Sequence, residues 1–292
     1  MMNEQALKKI MQELEKSGAN SQEDINSFLK KYQGKNIDEI GKASNDKDRA
    51  QEMVYQAQEM PIIEGKKLIK KALKLDPENV DALKYLADVE ENLDKALKMY
   101  EKAVKIAEKN LGKSFFKENK GYFWGLIETR PYMRVSADYA RCLFMNGEVD
   151  KSLKIYEDLL ELNPMDNQGI RYEISTALLR NKQLSKYESL IKKFEDEDCA
   201  LWHYNNAIYH FIKTGDSKTS NKALLKAYKS NRHVLDFMLG IKELPHHPPS
   251  YIGRGDENEA VAYVYDTWKV WENIDGGFMW LINFKENRKN IN

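Results

Sequence analysis

Cysteine is nearly missing from this chain. Cys142 and Cys199 are the only two in 292 residues, which leaves no disulfide framework and no paired-thiolate metal spacing. Proline and glycine are scarce, at 7 and 15 residues. With 32% charged and 42% hydrophobic residues, that balance suits a helical protein with well-solvated faces. No apolar run approaches the roughly 20 residues of a membrane span. Net charge is missing too: 46 basic residues face 46 acidic ones. Attraction of the whole protein to nucleic acid or to an anionic membrane is therefore not indicated. The opening MMNEQALKKIMQELEKSG is polar and charged, unlike a secretory leader, and the expected compartment is a reducing cytoplasm.

The usual signatures of chemistry are missing as well. There is no glycine-rich phosphate loop, no G-x-S-x-G, no H-E-x-x-H and no kinase signature, so no cofactor is expected. His203 and His210 lie seven apart on one helix face, and Cys199 stands four before His203. A zinc site wants a fourth ligand; with none evident, a helix-packing role is the expectation. Arg254-Gly255-Asp256 reads as a helix start, and Glu195-Asp196-Glu197-Asp198 as a solvated corner with first-turn acids for the next helix.

What the chain does have is a repeated corner. In KALKLDPENVDAL, Lys71 to Leu83, Pro77 cannot sit inside a helix, because it lacks an N–H and its ring strikes the preceding turn. One helix is thus expected to end near Leu75, and Asn79 to cap the next. KIYEDLLELNPMDNQ, Lys154 to Gln168, repeats the design with Tyr156 and Pro164. Upstream, Tyr139, Ala140 and Leu143 share a helical face, and Asn146-Gly147 makes the turn. This pattern resembles the tetratricopeptide repeat, a helical hairpin of about 34 residues. Met133 to Asp166 fits it at full length, with Ser152 replacing the usual alanine of the second helix. Further hairpins are read at Arg49–Pro77, Lys84–Ile106, Asn167–Asp196 and Ala200–Asn231, five in all.

The expected fold is all-α: a tetratricopeptide helical-hairpin superhelix with helical caps at both ends. Residues 1–48 read as an N-terminal helical segment, with helices at Glu4–Lys16 and Ser21–Tyr32, a cap at Ser21-Gln22-Glu23-Asp24, and then an irregular stretch. Residues 49–240 form the repeats. Residues 241–292 form a proline-rich loop and capping helices, opened by the D-x-x-E pair Asp256 and Glu259. Ala260, Val264, Trp268 and Trp271 lie at helical spacing on one face and should cover the end of the stack.

The stretches GYFWGLIETRPYMR (Gly121 to Arg134), LNPMDNQGIRY and GRGDENEAVAY resemble a bacterial group of tetratricopeptide proteins of unassigned function, distantly like the suppression-of-tumorigenicity-7 family. That resemblance carries no known chemistry. The aromatic cluster Phe115, Phe116, Tyr122, Phe123, Trp124 and Tyr132 reads as the filling of an enlarged joint between the second and third hairpins, with a docking patch as the alternative.

The repeat resemblance also implies where a ligand would lie. First helices line the concave groove, and their second, fifth and ninth positions point into it. Those places hold Arg134, Ala137 and Arg141 in one hairpin, Gln168, Arg171 and Ser175 in the next, and Leu201, Tyr204 and Ile208 in the last, with Phe211 one turn on. Lys84 takes the fifth place of the clipped second hairpin. The candidate groove residues are thus Lys84, Arg134, Arg141, Arg171, Tyr204 and Phe211. Arginine forks suit carboxylates and phosphates. The competing reading is intramolecular pairing, with acids such as Glu128 or Glu173. The lysine and asparagine set of the chaperone-tail clamp is not present. The expected function is a non-catalytic scaffold that binds a protein or peptide with acidic groups, with no nucleic acid, membrane or metal involved. The alternative is an enzyme or enzyme regulator that uses the arginines for an anionic substrate or signal peptide.

Overall fold

A computed structural model describes residues 4–35 and 45–289. Part of the irregular stretch expected before residue 48 lies outside the described residues. Among those described, the protein is all helical, with no strand and no helix long and apolar enough to cross a membrane. The chain forms two compact units, residues 1–148 with 161–167, and residues 149–160 with 168–292.

In the first unit, α1 (Glu4–Ser17) and α2 (Gln22–Leu29) precede two hairpins. The Ser21 side chain accepts from the Asp24 N–H while Asp24 reaches back to the Ser21 N–H, the expected capping box. The first hairpin pairs α3 (Asp46–Gln58) with α4 (Ile62–Leu75), and the second pairs α5 (Val80–Asp88) with α6 (Leu93–Leu111). The Pro77 corner falls where the sequence puts it. Helix α4 stops at Leu75, and the Asn79 side chain accepts the Ala82 N–H at 2.9 Å. Ala50, Val54, Ala57, Ile69, Ala72, Ala82 and Tyr85 form one buried cluster. Small residues dominate it because the helices cross closely. A Cβ on Gly65 would collide with the Tyr85 hydroxyl and lie 2.9 Å from the Ala57 carbonyl oxygen. Sequence reading passed over this glycine, although it stands seven residues before Ala72 on the same face.

After α6 come α7 (Lys113–Glu118), two short 3-10 turns, and α8 (Arg130–Met145). Phe116 and Phe123 pack against each other at 5.1 Å, and Phe116 meets Tyr132 edge-on at 4.9 Å. This supports the core reading of the aromatic cluster, except at Tyr122, which is exposed. Helix α9 (Val149–Leu162) follows the Gly147 turn, whose φ of 85° favours glycine, and ends just before Pro164.

The second unit continues with the hairpins α10 (Ile170–Arg180) with α11 (Leu184–Lys193), and α12 (Ala200–Thr214) with α13 (Lys218–Ser230). Short α14 (His233–Met238) leads through a proline-containing loop to α15 (Glu257–Trp271) and α16 (Gly277–Lys289). Helix α15 packs against α10, α12 and α14. It therefore lies across the first helices of both hairpins.

One element of the capping expectation is corrected. Ala260, Val264 and Trp271 are fully buried, but Trp268 is 40% exposed. Each i+4 step advances about 40° around a helix, so two such steps from Ala260 carry Trp268 to the rim, while Trp271 returns close to Ala260.

Candidate functional site

The six candidate groove residues fall into two environments. In the first unit, α5 and α8 carry a ladder of opposite charges. Arg134 grips Asp81 through Nε to Oδ1 at 3.0 Å and Nη2 to Oδ2 at 2.7 Å. Asp81 also accepts from Gln51 at 3.1 Å, so α3, α5 and α8 are tied together there. One helical turn on, Lys84 lies 2.8 Å from Asp88 and 2.7 Å from Asp138. Arg141 reaches the other Asp138 oxygen at 2.6 Å. Burial works against the charge on Lys84, yet Asp138 and Asp88 outweigh it and hold its pKa above the usual lysine value. The Tyr100 hydroxyl, raised by burial and by its 2.6 Å bond to Asp88, stays protonated.

In the second unit, Arg171 donates from Nε to Glu197 at 2.8 Å, and the Tyr172 hydroxyl donates to the same oxygen at 2.8 Å. The guanidinium also sits over the Tyr172 ring at 4.4 Å. Burial opposes ionisation of Glu197, but Tyr172 and Arg171 prevail and keep its pKa below 4.5. The acids that meet the arginines include Asp81, Asp138 and Glu197, from a neighbouring turn or helix, none of which sequence reading named as a partner.

Tyr204 and Phe211 correct the groove expectation. They are 0% and 8% exposed and do not line an open groove. Tyr204 packs on Tyr263 of α15 with ring centroids 5.2 Å apart and donates its hydroxyl to the Asn231 carbonyl at 2.9 Å. Phe211 stacks on Trp280 of α16 at 4.4 Å. A segment some sixty residues downstream covers the face they lie on. Glu259 fixes the cover. Its carboxylate accepts the Ala200 N–H at 2.9 Å, the Gly255 N–H at 2.7 Å and the Asn231 side-chain amide at 2.9 Å. The expected D-x-x-E box is thus half formed. Asp256 caps the Glu259 N–H at 2.8 Å, while the Glu259 side chain serves α12 instead. Sequence reading missed this role; the one available signal was the pairing of Asp256 with Glu259 itself.

The cysteine and histidine candidates have structural surroundings. His203 is buried with Nε2 2.6 Å from Asp198. Burial pushes the Cys199 thiol up to about 11 and raises Cys142 as well. Both are therefore thiols near neutral pH, the opposite of an activated nucleophile.

No known family model matches the chain. It is similar to the Protein ST7 homolog of Drosophila melanogaster, 24% identical over 229 residues that cover 70% of this chain and 42% of that relative. It is also similar to the Suppressor of tumorigenicity 7 protein-like of Bos taurus, 23% identical over 168 residues that cover 51% of this chain and 30% of that protein. The chain thus spans less than half the length of these curated relatives.

Proposed function

We propose that the protein is a non-catalytic interaction scaffold, a tetratricopeptide array acting in the cytoplasm, whose working surface is the first-helix face of the first unit. One contrast carries the reading: at groove positions, the Arg141 side chain of the first unit is 47% exposed, whereas Tyr204 of the second is sealed at 0%. The partner in this reading is a protein or peptide segment with acidic groups. Its carboxylates compete with Asp138 for Arg141 and Lys84, and its cations take up the aspartate so released. Arg134 and Arg171 hold the framework, since freeing either would strand a buried carboxylate. An enzymatic reading gains no support from the two protonated thiols.

The test is site-specific photo-crosslinking in the full chain. A photoreactive residue at exposed Met145, one turn beyond Arg141 on α8, should give a discrete adduct with a cellular partner, while one at exposed Lys222 should not. Adding Arg141→Gln should weaken that adduct while the helix content stays unchanged by circular dichroism. Equal adducts from both positions, none from position 145, or an adduct unchanged by Arg141→Gln would overturn the reading.

A further inference from the structure

The zero net charge of the chain conceals an uneven surface. Helix α4 carries Lys66, Lys67, Lys70, Lys71 and Lys74 against one acid, Glu64. Four of these lysines are exposed and Lys66 is half-buried. Among the described residues none of the five has an ion-pair partner. Some exposed lysines of this unit are matched, Lys105 with Glu101 at 2.6 Å and Lys109 with Glu78 at 2.6 Å, and others, among the described residues, are not. The lysines of α4 are also ordered. Ile63, Lys67, Lys70 and Lys74 stand at i, i+4, i+7 and i+11, within about 60° of one another on the side away from buried Gly65, Ile69 and Ala72, in a row about 16 Å long.

The row begins at an apolar tip. Met60, Ile62 and Ile63 are consecutive but for Pro61, and they are 43%, 58% and 69% exposed. A purely solvated lysine face has no use for two isoleucines standing in water at its end. Nucleic acid has little use for them either, since its backbone rewards the lysines alone. An anionic bilayer uses both features. Headgroups attract the lysine row, and aliphatic side chains at the turn enter the boundary between headgroups and acyl chains.

We propose that the exposed face of α4, with the Met60–Ile63 turn, is a docking surface for an anionic lipid membrane. The chain lies on the membrane there and does not span it. This inference does not depend on the groove reading, because α4 is the second helix of its hairpin and its lysines lie on a different helix from Arg141.

The full chain is mixed with vesicles of phosphatidylcholine alone, or with about a third phosphatidylserine, and sedimented. Binding is expected only to the anionic vesicles, weakening as salt rises. The triple variant Lys67→Gln, Lys70→Gln, Lys74→Gln should lower the partition coefficient by roughly a hundredfold, since each lysine near such a surface contributes about a fivefold factor. Ile62→Ser with Ile63→Ser should lower it further without altering the salt dependence. All five positions are exposed, and circular dichroism checks that each variant keeps its helix content. The proposal is overturned if the native chain ignores anionic vesicles, if the triple variant binds them as well as the native chain does, or if the chain binds duplex DNA and not vesicles.

Discussion

Arg134 and Asp81 meet as a two-pronged pair across first helices, with the Asp81 side chain only 6% exposed. Two parallel N–H···O bonds fix α8 against α5 at one register. The pair belongs to the framework, so its loss should register in folding rather than in binding.

Arg134→Gln should cost about 3–5 kcal/mol, the range for stranding one member of a buried ion pair. The double variant Arg134→Gln, Asp81→Asn should cost less than the sum of the singles, because no uncompensated charge is left. Urea denaturation of the four proteins measures both numbers. An Arg134→Gln protein with unchanged stability would show the pair to be decorative.

Gly65 makes a second, sharper case. Alanine is the better helix former by about 1 kcal/mol, so substitution at a free helical site would stabilise. Here the added methyl meets the Tyr85 hydroxyl and the Ala57 carbonyl oxygen. Gly65→Ala should therefore destabilise, by about 1–3 kcal/mol as overpacked cores do. Tyr85→Phe should relieve part of the loss, since it removes the nearer obstacle. Thermal unfolding of the single and double variants decides the sign.

These cases show which parts of the molecule could be read in advance. Corners at Pro77 and Pro164, the Asn79 cap and the Ser21 box are local: a ring that cannot join a helix or an oxygen within reach of an N–H suffices. The face of each first helix is also local, and Arg134, Arg141, Tyr204 and Phe211 were assigned by that logic. What covers a face is not local. Tyr204 is sealed by Tyr263 and Phe211 by Trp280, from a segment beyond a proline-rich loop whose return path leaves no mark on the periodicity of α12. Charge pairing is likewise non-local. Arg134 finds Asp81 from 53 positions away, although Glu128 is much nearer in sequence.

The two tryptophans of α15 should separate cleanly. Trp271 is fully buried and donates its indole N–H to the Tyr263 hydroxyl at 2.9 Å. Trp271→Ala should cost about 3–5 kcal/mol. Trp268, on the rim against Phe278 at 5.4 Å, should cost about 1 kcal/mol when truncated, since much of its surface already meets water. Equal melting temperatures for the two variants would contradict the packing.

Glu197 predicts an acid-sensitive second unit. Its folded pKa is held below the ordinary 4.5 by Tyr172 and Arg171, which outweigh its burial. A depressed carboxylate contributes stability that is fully present above its unfolded pKa and is lost as pH falls through the folded one. Melting temperature should therefore drop on acidification below about pH 4.5, and Glu197→Gln should flatten part of that limb while lowering the neutral-pH plateau. A variant whose pH profile runs parallel to that of the native chain would remove Glu197 from the account.

Glu259 tests whether the cover over the second unit is held as described. Its carboxylate collects N–H groups from Ala200, Gly255 and Asn231, joining the start of α12, the turn before α15 and the end of α13. Glu259→Ala takes the acceptor from the Ala200 N–H and from one hydrogen of the Asn231 amide, and a charged hydrogen bond in such a setting is worth about 1.5–3 kcal/mol. A loss of at least about 3 kcal/mol is expected, with Glu259→Gln milder because one amide oxygen still accepts. Stability alone would not locate the damage, so hydrogen exchange should accompany it. Faster exchange at Ala200 and Gly255, with α5 unchanged, is the expected pattern. It follows from Glu259 being the acceptor for both groups. Uniform loss of protection across the chain, or none at Ala200, would mean that α15 is held mainly by Tyr263 and Trp271, with the carboxylate incidental.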